Sequence, residues 1–498
     1  MSVIAGKRSL LVFFAALILA AALPWWPEPK VDWEPATFRD VPLERRQIEA
    51  NEGVSFTALR GNVSVPERRA VLTSRSISIG FAVVPGVAGA DGPPVFMVAG
   101  GPGGSHIANL DRSWVQVLIQ MFRRVGDVVL VDLRGIHSST PNFELSGLAR
   151  KWRTVASDAD MRQLIRDQGT DGRSQLLEAG FDLSGYVVTE AAADLIAVAD
   201  RLGYTRINLY GTSFGSHYTL TTVRQFPERV QRFFITGVEG YDHTYDDGVE
   251  VLRAVELIAQ EAEAVWGRAH GAGNPLEALQ ALAEKAAKNA PEAHGLKPHE
   301  MVGLVKSGDF LDFEYQLSSR EGMRSWPHDV ARIVEGDRAW RMPLVRRLMG
   351  QFVGKDASDA AVGLFDCASH ISEERQTRLR ATAPVHFPDD VAFMESLCSG
   401  WAVAPLPATF QAGEMVETPG LLLHGTYDVA TPYANALETL RQFPEAALVT
   451  VHGGSHAALW EALEAEETFS DDIVRWFRGG AAPKDVRLGP IEFLPMDD

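Results

Sequence analysis

The sequence predicts an α/β fold, a mostly parallel sheet with helices on both faces and a helical cap inserted into it. Three observations predict this. Short apolar runs alternate with amphipathic helical stretches between residues 76 and 238. The rhythm then gives way to long amphipathic helices from about Asp242 to Pro405 and returns at "GLLLHG", residues 420–425. One apolar run ends in "YGTSFG", where small residues crowd a serine at a strand-to-helix junction.

The elements follow in order. "SISIGFAVV" (76–84) alternates as a strand does, and "PPVFMVAGG" (93–101) is a buried strand ending in glycines. "SWVQVLIQMFRR" has helical spacing, and "GDVVLVDLRG" (126–135) is the next strand. "TEAAADLIAVADRLG" (189–203) reads as a helix with Thr189 as N-cap and Gly203 at its end. "RINLY" (206–210) and "RVQRFFITGV" (229–238) are strands on either side of the helix that follows the serine. "DDGVEVLRAVELIAQEAEAVWGRAH" and "PLEALQALAEKAAKNA" belong to the cap, and "ALVTVHGG" (447–454) closes the sheet. Strands alternating with helices form a parallel sheet covered on both faces. The expected division is 1–32 as an N-terminal segment, 33–241 as the first part of the core, 242–405 as the cap and 406–498 as the second part of the core.

Composition narrows the function. A chain of 498 residues, 46% apolar and 22% charged, has a globular make-up. A formal net charge of −18 argues against a nucleic-acid partner, which needs clustered Lys and Arg. Lys7 and Arg8 precede an unbroken apolar run from Leu10 to Leu23, shorter than the ~20 residues a membrane span takes. This matches an export signal, with Ala20-Ala21-Ala22 as a small-residue cleavage site. The competing reading is an uncleaved anchor with Trp25 and Trp26 at the membrane interface. Either way the chain is expected to be exported, to the periplasm, the medium or the cell envelope. Only two cysteines occur, Cys367 and Cys398, and in an exported chain such a pair fits a disulfide better than a metal site. The sequence contains no HExxH, CxxC, Walker-type or GxGxxG string, so neither a metal nor a nucleotide cofactor is expected.

The serine carries the chemistry. Gly211-Thr212-Ser213-Phe214-Gly215 is a G-x-S-x-G string, in which a sharp turn throws the serine hydroxyl outward. A serine nucleophile needs a base, an acid to orient that base, and donors for the developing oxyanion. "LLLHGTYDVATP" sets Asp428 just past one strand, and "LVTVHGGSHAAL" sets His456 just past the next. The chain order serine, acid, histidine suits this type of elbow and favours Asp428 as the acid, with Glu239 at the end of "FFITGV" as the alternative. His217, His424 and His452 read as structural, and His137 as a residue of a strand-end loop. "AGGPGGS" (99–105) is the expected oxyanion loop, with the backbone N–H groups of Gly101 and Phe214 as donors.

Together, "GNVSVPERR", "VAGGPGGS", "VDLRGIHSS", "INLYGTSFG", "CSGW", "LLLHGTYDVATP" and "GGSH" resemble the prolyl iminopeptidase and tripeptidyl aminopeptidase group of α/β-hydrolases over roughly residues 60–470. The resemblance implies the α/β-hydrolase fold and an exopeptidase acting near a free N-terminus. It also implies Ser213, Asp428 and His456 as the triad and a Cys367–Cys398 pairing in the cap-to-core region. His137 stands where the group has a second glycine, and Ala99 stands where it has His or Pro. An aminopeptidase must hold an ammonium group, and the acids after the strand at 229–238 are the expected anchors, Glu239 first and then Asp242. Asp246 and Asp247 read instead as the acidic start of a helix. The expected partner is a peptide or small acyl substrate. An esterase with the same machinery is the alternative enzyme, and a catalytically silent binding protein is the alternative class.

Overall fold

The computed structural model describes residues 33–49, 55–143, 145, 158–288, 316–335, 360–384 and 390–495. The expected export segment, residues 1–32, lies outside them. No helix among the described residues is long and apolar enough to cross a membrane.

One 11-stranded sheet organises the chain. Its strands are β1 (Glu34–Phe38), β2 (Val41–Glu49), β3 (Ser55–Pro66), β4 (Ser76–Val84), β5 (Val95–Val98), β6 (Val128–Val131), β7 (Ile207–Ser213), β8 (Val230–Val238), β9 (Gly420–Gly425), β10 (Ala446–His452) and β11 (Val486–Arg487). The spatial order is β1-β2-β3-β4-β6-β5-β7-β8-β9-β10-β11. β1 to β4 run antiparallel, and β4 meets β6 antiparallel. From β6 through β11 every pairing is parallel.

Strand period decides which side chain enters which core. Successive strand residues face opposite sides. Phe96, Val98, Val129, Leu209, Phe233 and Ile235 therefore join one buried cluster with helices Val188–Arg201 and Phe214–Gln225. Their neighbours Val95, Met97, Leu130, Tyr210 and Phe234 join the other, with helices Ser113–Phe122, Ala458–Ala465 and Phe469–Phe477. The central strands are apolar at nearly every position because both faces are covered.

Between β8 and β9 the described residues hold helices and no strand. They include Gly248–His270, Pro275–Lys288, Arg320–Glu335, Glu373–Thr382 and Asp390–Trp401. Asp247 caps the first of these, accepting from the Val249 amide at 3.1 Å, as its place at an acidic helix start predicts. The cap has a core of its own, with Trp266 and Trp326 buried beside Val255, Ile258 and Val330. Helix Asp158–Glu178, between β6 and β7, joins this layer: Arg166 Nε donates to Ser399 Oγ at 3.0 Å on helix Asp390–Trp401. Cys367 and Cys398 form a disulfide.

One cap assignment is corrected. Helix Val188–Arg201 starts two residues earlier than its sequence suggests, with Val187 at the N-cap, so Thr189 lies within the first turn. Its other end behaves as expected. Gly203, at φ 73°, lets its own N–H reach Asp200 O at 3.1 Å and the Tyr204 N–H reach Ala199 O at 2.9 Å.

Candidate active site

Ser213 is both the last residue of β7 and the N-cap of helix Phe214–Gln225. Its backbone has φ 56° and ψ −131°, a conformation that costs a non-glycine residue roughly 1–3 kcal/mol. The flanking glycines are required by close approach. A Cβ on Gly211 would sit 2.0 Å from Gly215 O, and one on Gly215 would sit 2.7 Å from Val98 O. The strand, the turn and the neighbouring β5 are therefore pressed together around one serine.

The loop after β5 closes on that serine. A Cβ on Gly100 would lie 3.0 Å from Ser213 Cβ. The Gly104 N–H donates back to Gly100 O at 3.0 Å, which tightens the turn that contains Gly101. The loop is also fastened to the segment after β6. Ser105 Oγ donates to the buried Asp132 at 2.6 Å, and Asp132 also accepts from Ser138 N and Oγ at 3.0 and 2.6 Å. Burial raises the Asp132 pKa against those bonds. His137 Nε2 donates to Gly103 O at 3.1 Å. His137 has φ 50°, a left-handed backbone, which explains why glycine suits this position in the group it resembles.

β9 and β10 deliver the acid and the histidine. Asp428 is 1% exposed and follows β9. Its Oδ1 accepts from the Ala430 and Thr431 amides at 3.0 and 2.8 Å, and its Oδ2 from Thr431 Oγ1 at 2.9 Å. His456 Nδ1 donates to Asp428 at 3.0 and 2.9 Å. That bond fixes the neutral tautomer with Nε2 free to accept a proton. Burial alone would raise the Asp428 pKa, but the His456 charge and bond outweigh it and hold the carboxyl low. Burial would likewise lower His456, and Asp428 more than offsets it, so the imidazole is raised above its ordinary value. The ring packs on Gly237, where a Cβ would come within 2.6 Å of His456 Cε1. The next residue, Val238, is the strand partner of Ser213.

His424 and His217 are engaged in bonds within the fold. His424 accepts from the Val238 amide at Nδ1 (3.0 Å) and donates from Nε2 to Thr431 O (2.6 Å), and burial lowers its pKa. His217 donates to Gly240 O at 2.9 Å, lies 3.0 Å from Ser369 Oγ, and is pushed by burial down to about 4.

The two expected amine anchors part ways. Glu239 lies just past β8, with its amide donating to Ser216 Oγ at 2.8 Å. Burial pushes its carboxyl up to about 8. Asp242 serves the cap instead. It accepts from Ser372 N at 2.5 Å and Ser372 Oγ at 2.7 Å, at the start of helix Glu373–Thr382, so its oxygens are committed. Each oxygen of Asp242 therefore already has one donor, through a bond across 130 residues of chain that leaves no local trace in the sequence. Sequence reasoning missed Asp366. It is raised by burial and by the Glu239 charge, and its Oδ1 has no hydrogen-bond partner. Thr431 was missed as well, although an acid followed three residues later by Thr is the ordinary pattern of a side chain folding back on its own turn.

Residues 93–256 match the family model described as alpha/beta hydrolase fold. With its sheet order and elbow, the chain has the α/β-hydrolase fold. Residues 383–487 match the model described as TAP-like protein, in agreement with the tripeptidyl aminopeptidase-like group that the motifs resemble. No curated protein matches the chain. Solved structures similar to it include an esterase from Thermogutta terrifontis, with 14% identity over 84% of this chain and 98% of that one and a TM-score of 0.36. A probable hydrolytic enzyme from Pseudomonas aeruginosa has 14% identity over 84% and 93% and a TM-score of 0.39. A 2-hydroxy-6-oxo-6-phenylhexa-2,4-dienoate hydrolase from Rhodococcus has 14% identity over 83% and 99% and a TM-score of 0.37.

Proposed function

We propose that the chain is an exported serine exopeptidase that cleaves peptides near a free N-terminus through an acyl-enzyme. Ser213 Oγ attacks the scissile carbonyl while His456 Nε2 takes its proton. Asp428 holds the imidazole and stabilises its charged form. The backbone N–H groups of Gly101 and Phe214 receive the oxyanion. His456 then gives the proton to the leaving amine, and water, activated by the same histidine, releases the acyl group from Ser213. The observation that carries this reading is the Asp428–His456 pair at the carboxyl ends of β9 and β10, its imidazole against Gly237 of β8, the strand beside the one that ends in Ser213.

The exopeptidase part rests on Glu239, with Asp366 beside it. A substrate ammonium would supply the positive charge that two neighbouring carboxyls lack, and charge-assisted bonds are the strong ones in such a site. Export is supported by the Cys367–Cys398 disulfide, a bond that persists in oxidising compartments.

The test is a panel of peptide amides with free and N-acetylated termini, beside simple esters, on wild type and Ser213→Ala. Free-amine peptides should be cleaved best, and Ser213→Ala should lose both hydrolysis and fluorophosphonate labelling. Equal cleavage of acetylated and free peptides would sink the exopeptidase reading in favour of an esterase or endopeptidase. A wild type that does not label would point to a binding protein.

A further inference from the structure

The cap grips both loops that carry the acid and the histidine. On the acid side, Tyr427, the residue before Asp428, donates from its hydroxyl to Glu261 Oε1 at 2.5 Å, and Glu261 lies on the cap helix Gly248–His270. Val429, the residue after Asp428, is buried in the core of the cap. On the histidine side, Arg320 opens the cap helix Arg320–Glu335 and donates from Nη1 to Gly453 O at 2.7 Å. Gly453 begins the short loop from β10 to His456.

Glu461 completes the hold. It sits on helix Ala458–Ala465, directly after the histidine. Its two oxygens accept from Ser455 N at 2.8 Å and Ser455 Oγ at 2.6 Å, fixing the residue before His456. Oε1 also accepts from the Arg320 amide at 3.2 Å, so one carboxylate joins the cap helix to the histidine loop. The chain's last described segment is the third member. Gly489 O accepts from Arg320 Nη2 at 2.6 Å, Glu492 O from Arg324 Nε at 2.9 Å, and Glu261 Oε2 takes the Ile491 amide at 2.8 Å.

We propose that Glu461 and Arg320 are positioning residues for His456, so that the acid–histidine pair is in register only while the cap is docked. The proposal rests on the reading of His456 as the base. Glu461 fixes the Ser455–His456 backbone, and Arg320 and Glu261 tie that loop and the Tyr427–Val429 loop to the same cap. Cap undocking breaks both ties together. A substrate that enters by displacing the cap therefore meets an idle base, and catalysis begins when the cap has closed over it.

Glu461 has an electrostatic effect as well. The charged and titratable groups that act on His456 are Asp428, Glu461 and His424, while Arg320 meets its loop at Gly453 O. The Glu461 charge adds to that of Asp428 in raising His456, whereas burial lowers His424. A scaffold residue without this charge would leave the histidine's titration unmoved.

The test uses the full chain with Glu461→Gln, Arg320→Met and Arg320→Lys. His456 is titrated by NMR, which needs no turnover, and Ser213 by its rate of phosphonate labelling. Glu461→Gln should lower the His456 pKa, because the carboxylate that helps raise it is gone. Arg320→Met should slow labelling roughly 10–100-fold, the effect of misplacing a catalytic group by about 1 Å. Arg320→Lys, which can still reach Gly453 O, should recover part of the rate. KM should change far less than kcat. An unmoved His456 titration in Glu461→Gln, or labelling by Arg320→Met within twofold of wild type, overturns the proposal. A wild type that does not label sinks the proposed function and this proposal with it, whereas a wild type that labels with either of the two results above sinks this proposal alone. Circular dichroism and thermal melting separate a misfolded variant, for which Arg320→Lys and Glu461→Gln provide the reading.

Discussion

His456 donates from Nδ1 to both carboxylate oxygens of Asp428, at 3.0 and 2.9 Å, across 28 residues of chain. Asp428 is itself held by two backbone amides and the Thr431 hydroxyl, so the pair is rigid from the acid outward.

That pair gives the first prediction. Asp428→Asn keeps the shape but can place a donor against Nδ1, favouring the tautomer that leaves no acceptor for the serine proton. Turnover should fall by roughly 10⁴-fold with little change in the fold. The acid limb of kcat/KM should also move to lower pH, because the charge that raises His456 is gone. Glu239→Gln should cost far less on an ester that has no amine to anchor. The reverse ranking on the ester would move the acid to Glu239.

The Glu239 carboxyl gives a prediction about stability. Burial carries its pKa from an ordinary 4.5 to about 8 in the folded chain. A group whose pKa is higher folded than unfolded contributes stability that is complete below 4.5 and is lost as pH rises through about 8. Asp366, also raised, adds to the same slope. Chemical denaturation of wild type should therefore show falling stability across this window. Glu239→Gln should flatten the slope and be the more stable protein at its alkaline end. Identical slopes in the two proteins would mean that Glu239 titrates at its ordinary pH.

Much of this was legible in the sequence, and what was not has physical reasons. β4 and β9 fall on the residues their patterns mark: β4 by the alternation at its start, β9 because a strand buried on both faces reads as a nearly unbroken apolar run. The elbow and the acid and histidine loops are local strings at strand ends, and each was found where its string lies. β1 to β3 were not read. β2, "VPLERRQIE", buries Val41, Leu43 and Ile48 but is otherwise polar, so little distinguishes it from a loop. The Asp242–Ser372, Glu461–Arg320 and Glu239–Asp366 relationships join distant parts of the chain, and only the fold brings them together.

The disulfide gives a third prediction. Cys367 and Cys398 close a loop with a sequence separation of 31, for which chain entropy gives roughly 3–4 kcal/mol. The bond ties helix Asp390–Trp401 to the turn carrying Phe365 and Asp366, and Phe365 packs against Phe214 with ring centroids 6.1 Å apart. Replacing both cysteines by alanine should lower the melting temperature and weaken binding of free-amine peptides more than cleavage of esters. Non-reducing mass spectrometry checks the bond itself, and a double variant with unchanged melting would show that the loop needs no cross-link.

The last prediction concerns a buried charge. Arg134 is wholly buried and donates from Nε and Nη2 to the two oxygens of Asp194, at 2.8 and 2.7 Å. Its Nη1 donates to Glu67 O at 2.6 Å and Gly185 O at 2.5 Å, so one guanidinium ties the end of β3 to the start of helix Val188–Arg201. Asp194, 1% exposed, has a second cation in Arg69, whose Nη2 lies 2.7 Å from Oδ1. Removing Arg134 alone leaves two carbonyls without their donor and a buried carboxylate half-compensated. Arg134→Met should therefore cost roughly 3–5 kcal/mol, the usual penalty for breaking one side of a buried pair. Arg134→Met with Asp194→Leu removes both charges and should regain a good part of that loss. Arg134 also precedes Gly135 and His137, and His137 holds the loop after β5 at Gly103. The single variant should thus lose turnover beyond what its folded fraction explains, and the double variant should regain stability more fully than rate. Urea denaturation and active-site titration with a phosphonate read the two quantities separately. A single variant as stable as wild type would show that Arg69 alone compensates Asp194.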